Sequence, residues 1–244
     1  MNVIFEKFDR YCVIKLNRPE KLNTINLEML ESLSNAFGTA QNDTAIKTIV
    51  LTGNGSNFCA GADIKMLASF NIKDAYEFRR RMNMLSRNIR ESIKPVIAIL
   101  KGYSMGGGLE IAESADIRLS LKDATIGQPE ISIGINAGAG GNVILPKIVG
   151  MGNAKYLAMS GKKLSAEEAL RIGLINEIVN DEQDALKIVK SISEKPSKTL
   201  YYIKKAVNNS YNSDIENAME QEALYFSLLF DDEDVKNALS GWRK

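Results

Sequence analysis

The feature that most constrains the fold is a strand–glycine loop–helix unit that occurs twice in the first half of the chain. Residues 48–68 and 96–114 each begin with an apolar run, TIVLT or VIAIL, pass through a glycine-rich loop and enter a helical pattern. Short continuous apolar runs indicate strands that are buried on both faces, as in parallel sheets covered by helices. The repeated unit therefore predicts an α/β core.

Other strand and helix patterns extend this alternation over the rest of the chain. Strands are predicted at residues 3–8, 12–16 and 116–120. Helices are predicted after the capping residues Asn26 and Asp74, and again from about Asn142. The later pattern is mostly helical, and no linker or low-complexity segment precedes it. We therefore predict an α/β core over residues 1–190 and a helical segment over residues 191–244.

The absence of histidine limits the chemistry that the chain can perform. Ser-His-Asp and Cys-His catalysis are excluded, and so are HExxH zinc sites and histidine metal triads. Proton transfer near neutral pH must then use a carboxylate, lysine, tyrosine or cysteine. Cys12 and Cys59 form no CxxC pair, which favours a reducing compartment.

Charge and hydropathy indicate a cytoplasmic protein with no nucleic-acid or membrane partner. The 31 basic and 30 acidic residues leave a formal charge of +1, so no long-range field attracts nucleic acid or acidic lipid. The basic run at residues 79–81 lies in a helical pattern and is predicted to be a solvated face. No run approaches the roughly 18 apolar residues of a membrane helix. The N-terminal residues do not resemble a secretion signal.

The glycine-rich loops suggest a binding site made of main-chain amides. The first amides of a helix have no intrahelical partner, and glycine lets a ligand approach the backbone closely. Two such units side by side can aim two N–H groups at one carbonyl oxygen, forming an oxyanion hole. Tight strand-to-helix turns would explain the same glycines equally well. No GxGxxG or P-loop sequence occurs, which argues against a dinucleotide-dependent oxidoreductase.

Two glutamates are candidates for proton transfer. Glu110 follows three glycines at the start of a predicted helix, and Glu130 follows Gly-Gln-Pro at an expected loop-to-strand junction. Neighbouring carboxylates in apolar surroundings have coupled, raised pKa values, which suits acid–base chemistry near neutral pH. A cap or a salt bridge is the alternative for each glutamate. Glu113 is predicted to face solvent or a neighbouring subunit, and Cys59 is predicted to pack rather than to react.

Four ordered segments resemble the enoyl-CoA hydratase/isomerase (crotonase) family. They are NRPEKLN, FCAGADI, KPVIAILKGYSMGGGLEIAESADIRLS and IGQPEISIGINAGAGG. The resemblance runs from about residue 3 to residue 180, with a looser likeness in helical layout to the end. It implies a crotonase-like α/β spiral of ββα turns, with the C-terminal helical segment used in trimerisation. The expected assembly is a homotrimer or a dimer of trimers.

The resemblance also implies a set of site residues. The two oxyanion-hole N–H groups match Ala62 and Gly107, and the two catalytic glutamates match Glu110 and Glu130. Gly138 matches a glycine whose amide lies near the catalytic water. The residues that match the coenzyme A site are Ala60, Asp63, Ile64 and Lys65. For Lys65, a contact to a CoA phosphate and a solvated side chain are equally good interpretations.

The activity implied by the resemblance is reversible addition of water to a trans-2-enoyl-CoA through a thioester enolate. Coenzyme A is then part of the substrate, and no metal or redox cofactor is expected. Retention of both Glu110 and Glu130 favours hydration over double-bond isomerisation, which commonly needs only the second glutamate. A non-catalytic CoA-binding protein is the alternative from a different class. Asn136 and Asn142 depart from the common hydratase pattern at positions expected near the acyl chain, so the acyl group stays open.

Overall fold

The computed structural model describes residues 1–242, and within them the chain forms nine strands and ten α-helices. The strands are β1 (Val3–Lys7), β2 (Tyr11–Leu16), β3 (Thr48–Gly53), β4 (Val96–Leu100), β5 (Tyr103–Met105), β6 (Ile117–Leu121), β7 (Thr125–Gly127), β8 (Lys163–Ser165) and β9 (Glu177–Val179). The helices are α1 (Leu27–Asn42), α2 (Ile64–Leu67), α3 (Ile72–Arg90), α4 (Gly107–Ser114), α5 (Leu145–Ser160), α6 (Ala166–Arg171), α7 (Glu182–Ser193), α8 (Ser197–Asn209), α9 (Ile215–Leu229) and α10 (Glu233–Ser240). Short 3₁₀ helices occupy Pro19–Lys21 and Glu130–Ile133.

The strands form two sheets, and the two predicted strand–loop–helix units lie next to each other in the larger one. Its order is β1-β2-β3-β4-β6-β9, and only the β1–β2 pair is antiparallel. The smaller sheet has the order β5-β7-β8. Because β3 and β4 are parallel neighbours, the glycine-rich loops that follow them begin at the same edge of the sheet.

The larger sheet is buried on both faces, as the continuous apolar runs predict. Along β3, Ile49 and Leu51 belong to the main core with α1, α3 and α4, whereas Val50 packs with α7 on the opposite face. This alternation follows from the two-residue period of a strand. The predicted division at residue 190 stays a prediction; residue 190 itself lies in α7, which covers the second face.

Three local predictions near the site need correction. Helix α3 is capped by Asn71 rather than Asp74, which is the third helical residue and completes a capping box. The strand expected after Glu130 is a 3₁₀ turn, since Ser132 N–H donates to the Pro129 carbonyl three residues back. Helix α5 begins at Leu145 rather than near residue 142, because the preceding glycine-rich residues form a separate loop.

The NRPEKLN segment holds the loop after β3 in place. Asn23 is fully buried in a left-handed conformation (φ 56°). Its side-chain amide donates to the carbonyls of Asn54 and Asn57 at 2.9 and 2.8 Å, and its side-chain oxygen accepts from the Arg18 N–H at 2.9 Å. One side chain therefore ties two distant loops together.

We expect Asn23→Ala to lower the free energy of unfolding by about 2–4 kcal/mol, because three hydrogen bonds disappear and buried carbonyls lose a donor. Urea unfolding would measure the loss. Asn88→Ala, at an exposed position of α3, is the matched control and should change stability by less than about 0.5 kcal/mol. Equal effects of the two substitutions would contradict the role of Asn23.

Candidate active site

The loops that follow β3 and β4 are joined by a short main-chain ladder. Cys59 N–H donates to the Tyr103 carbonyl, and Met105 N–H donates to the Cys59 carbonyl, both at 2.9 Å. This parallel bridge places the CAGAD segment against the start of α4. The two glycine-rich segments singled out in the sequence therefore lie in contact.

The amides of Ala62 and Gly107 lie on the shared side of these loops. Gly61 C=O and Asp63 N–H both bond to Ile25, at 2.8 and 2.9 Å, so the Ala62 N–H between them points the opposite way. Gly107 is the first residue of α4, where an N–H has no helical partner. A Cβ atom at Gly107 would lie 3.6 Å from the Ala62 nitrogen, so the two amides are neighbours.

Close approach at this junction requires glycine. Gly106 has φ +51°, a conformation that side chains disfavour, and a Cβ at Gly108 would lie 2.5 Å from the Cys59 carbonyl oxygen. Burial raises the pKa of the Cys59 thiol to about 12, so the thiol stays protonated at neutral pH. Cys59 packs in the core, as predicted, and offers no thiolate.

Glu110 is oriented by the third glycine-rich loop. The carboxylate is 3% exposed, and its Oε1 accepts hydrogen bonds from the Ala139 N–H at 2.5 Å and the Gly141 N–H at 2.9 Å. Gly138 immediately precedes the first of these donors on the chain and packs against Arg79. No sequence feature indicated that the 137–141 loop would hold this carboxylate.

Arg79 supports the same loop and corrects one prediction. Its Nη1 donates to the Ala137 carbonyl at 3.1 Å, and its side chain is half-buried. Arg80 and Arg81 are exposed, as the solvated-face interpretation predicts. The basic run is thus only partly a surface feature.

Glu130 faces the same region from the 3₁₀ turn. A Cβ atom at Gly106 would lie 2.9 Å from Glu130 Oε1, so this carboxylate lies beside the amide pair. Burial raises the pKa of Glu130 to about 7, and the nearby charge of Glu110 acts in the same direction. A carboxyl group with this pKa exchanges a proton readily at neutral pH.

Glu113 lies inside the protein, so the prediction that it faces solvent or a subunit is wrong. It is 3% exposed, and neither carboxylate oxygen has a hydrogen-bond partner among the described residues. Burial and then the charge of Glu110, one turn earlier on α4, raise the pKa of Glu113 well above its usual range. Arg118 counters this only in part; its guanidinium donates to the carbonyls of Leu174 and Ala115, at 2.7 and 2.8 Å.

A cavity of about 380 Å³ opens beside Glu130. Asn136 and Asn142 both line it, together with Gln128, whose role the sequence did not suggest. Apolar side chains form much of the remaining wall, among them Ile131, Ile135, Met151 and Met159. The cavity can therefore accept a chain that is largely apolar.

A separate groove of about 530 Å³ is lined by two of the four residues that were matched to the coenzyme A site, Asp63 and Lys65. Arg18, Lys21, Asp63 and Lys65 line it, and Arg18 pairs with Asp63 at 3.3 Å. Ile64 is 61% exposed beside them. Ala60 lies on the adjoining loop, where its N–H donates to the Leu22 carbonyl. Three cationic side chains make this groove suitable for phosphate groups.

Among residues 1–242, no group of three or more Cys, Asp or Glu side chains is arranged to hold a metal ion. No helix in that range is long and apolar enough to cross a membrane.

The fold and the site together define a class: an α/β protein in which two neighbouring amides face a pair of buried carboxylates beside an apolar cavity. The family model described as "Enoyl-CoA hydratase/isomerase" matches residues 7–243. The chain belongs to this family, and the predicted crotonase-like fold is confirmed.

Individual relatives agree over nearly the whole chain. The chain is 37% identical to the short-chain-enoyl-CoA hydratase of Clostridium acetobutylicum and 36% identical to the crotonyl-CoA hydratase of Syntrophomonas wolfei; each match covers 99% of this chain and 94% of the relative. The crystal structure of enoyl-CoA hydratase from Thermoplasma volcanium superposes with a TM-score of 0.98 at 61% identity, covering 100% of this chain and 98% of that one.

We expect Glu113→Met to stabilise the protein increasingly as pH rises from 5 to 7. The folded state keeps a proton on Glu113 that the unfolded chain loses near its ordinary pKa of about 4.5. Stability of the unmodified protein therefore falls above that pH, by up to about 1.4 kcal/mol per pH unit, until the folded carboxyl ionises.

Urea unfolding at pH 5, 6 and 7 would measure this difference, with the exposed Glu31→Met as the matched control. A stability difference for Glu113→Met that is the same at all three pH values would show that the folded carboxyl is not held protonated.

Proposed function

We propose that the chain catalyses reversible addition of water to trans-2-enoyl-CoA thioesters, and that Ala62, Gly107, Glu110 and Glu130 carry the reaction. The observation that carries this proposal is the meeting of two main-chain amides and two carboxyl groups in one place. Family membership and hydratase relatives over the full length support it.

The amides of Ala62 and Gly107 would bind the thioester carbonyl oxygen. When water adds to the β-carbon, charge collects on this oxygen as an enolate, and fixed donors stabilise that charge without reorganising. One donor of this kind is typically worth about 3 kcal/mol in the transition state. The helix of Gly107 adds the partial positive charge of its N-terminus.

The two glutamates would divide the proton transfers. Glu110 would act as the base that activates water, since the amides of Ala139 and Gly141 hold one of its oxygens and fix its orientation. Glu130 would deliver the α-proton in hydration and remove it in dehydration, and its pKa near 7 suits both directions. The amide of Gly138 would lie near the attacking water.

The cationic groove would bind the coenzyme A part of the substrate. Arg18, Lys21 and Lys65 supply positive charge for its phosphates, and Asp63 keeps Arg18 in place. Ala60 and Ile64 would complete the site on the neighbouring loop. The chain then supplies every group that the reaction requires, so coenzyme A enters as substrate and no further cofactor is needed.

We further propose a homotrimer or a dimer of trimers in the cytoplasm. Large apolar side chains stay exposed on the C-terminal helices, and exposed apolar patches commonly mark subunit contacts. They are Ile203, Val207, Ile215, Met219, Leu224, Phe226 and Phe230. Both cysteines are free, which is consistent with a reducing compartment.

Glu110→Gln and Glu130→Gln should each lower kcat for crotonyl-CoA hydration by about 10²–10⁴-fold, because each removes a positioned acid or base. Loss of the ultraviolet absorbance of the conjugated thioester would follow the reaction, and calorimetry should show nearly unchanged CoA binding. An isomerase would behave differently. The unmodified enzyme would not hydrate the substrate, and its double-bond isomerisation would survive in Glu110→Gln but not in Glu130→Gln. Near-normal hydration in either variant would refute the role of that residue.

The pH profile of hydration should follow the protonation of Glu130. Hydration needs Glu130 protonated, so kcat/KM should fall as pH rises through about 7. Dehydration of 3-hydroxybutyryl-CoA should follow the same profile, because the overall reaction takes up no net proton and its equilibrium is independent of pH. Rate measurements in both directions from pH 5 to 9 would test this. A hydration rate that stays constant or rises between pH 6 and 8 would contradict the assignment.

A further inference from the structure

The cavity beside Glu130 is lined in part by a polar side chain, Gln128, that the proposed reaction does not use. Gln128 is 2% exposed, and neither its Nε2 nor its Oε1 has a hydrogen-bond partner among the described residues. It lines the cavity together with Glu130. A Cβ atom at Gly141 would lie 1.8 Å from Gln128 Nε2, so the amide is pressed against the loop that holds Glu110.

An unpaired buried amide needs an explanation. Buried side-chain polar atoms are paired in the large majority of cases, and an orphaned group destabilises the fold. The amide group presents two N–H donors and one carbonyl acceptor, so it is best satisfied by a partner that both accepts and donates. A hydroxyl group has this property, whereas an aliphatic carbon has neither.

The same cavity has other polar groups at its wall. Asn136 and Asn142 stand on either side of the 137–141 loop and both line the cavity. Both asparagines are exposed, so water can hydrogen-bond to them before a ligand enters, whereas the Gln128 side chain is buried. Gln128 is therefore the group whose hydrogen bonds depend most on what occupies the cavity.

The part of the substrate that can lie next to Gln128 follows from the reaction. The thioester carbon and the α- and β-carbons must lie at the amide pair and the two glutamates. Because Glu130 is part of the cavity lining, the acyl chain from its fourth carbon onward extends along the rest of that lining. We propose that Gln128 is a specificity-determining residue and that the enzyme favours enoyl-CoA substrates with a hydroxyl group at or beyond the fourth carbon. This inference rests on the hydratase function proposed above.

An isosteric substrate pair tests the inference. 4-Hydroxy-trans-2-butenoyl-CoA and trans-2-pentenoyl-CoA differ only by a hydroxyl in place of a methyl group. We expect the enzyme to have about tenfold higher kcat/KM for the hydroxylated substrate, and Gln128→Met to abolish this preference or reverse it. The ratio of two substrates on one protein is unaffected by partial loss of folded enzyme.

Two further variants make the outcome decisive. Gln128→Asn keeps an amide but withdraws it by one methylene, and it should retain part of the preference. Gln41→Leu, far from the site, is the matched control and should leave the ratio unchanged. A ratio near one in the unmodified enzyme, or the same ratio in Gln128→Met, would overturn the inference while hydration itself continues. Failure to hydrate either substrate would instead refute the proposed function, and the inference with it.

Discussion

The site depends on the main-chain pairing between the loop after β3 and the strand β5 that follows β4. The hydrogen bonds of Cys59 to Tyr103 and Met105 fix where α4 begins relative to the loop after β3. They thereby fix which amide becomes the first of the helix and how close that amide comes to Ala62. Gly106 and Gly108 are required because a side chain at either position would meet Glu130 or the Cys59 backbone. Asn23 secures the outer end of the same loop.

Around this pairing the chain buries three carboxyl groups, and each is accommodated differently. Glu110 accepts hydrogen bonds from two amides, which fix the direction of its carboxylate. Glu130 is half-buried with a pKa near 7. Glu113 has no hydrogen-bond partner in the described part of the chain, and its pKa is raised well above the usual range. Such a cluster costs stability, because burial disfavours each charge and neighbouring charges repel. Proteins contain such destabilising clusters of acids most often at functional sites.

Much of the fold was predictable from local pattern. The runs at residues 48–52 and 96–100 identified two central strands, because only a doubly covered sheet suits continuous apolar sequence. Asn26 was correctly predicted as a helix cap, since its side chain accepts from the Met29 N–H. The Asp74 prediction failed because capping boxes contain two polar residues, and sequence alone did not tell which one stands outside the helix. The strand predicted after Glu130 failed because isoleucine at alternate positions also fits a turn that faces a cavity.

The α/β class, the two glycine-rich loops and the absence of histidine chemistry follow from the amino-acid sequence alone, and the resemblance to a family indicates Glu110 and Glu130 as the candidate catalytic pair. These conclusions depend on residue type, spacing and motif order, which are local properties. The folded structure was needed to show that Glu113 lies inside, that Arg79 supports the Ala137 loop, and that the Gln128 amide, in the cavity beside Glu130, has no hydrogen-bond partner among residues 1–242. Burial and pairing depend on neighbours far away along the chain: Gly141 is 31 positions from Glu110, and Ala137 is 58 positions from Arg79. No local sequence pattern encodes these long-range contacts. The burial and hydrogen bonding of each polar group therefore become known only from the folded structure.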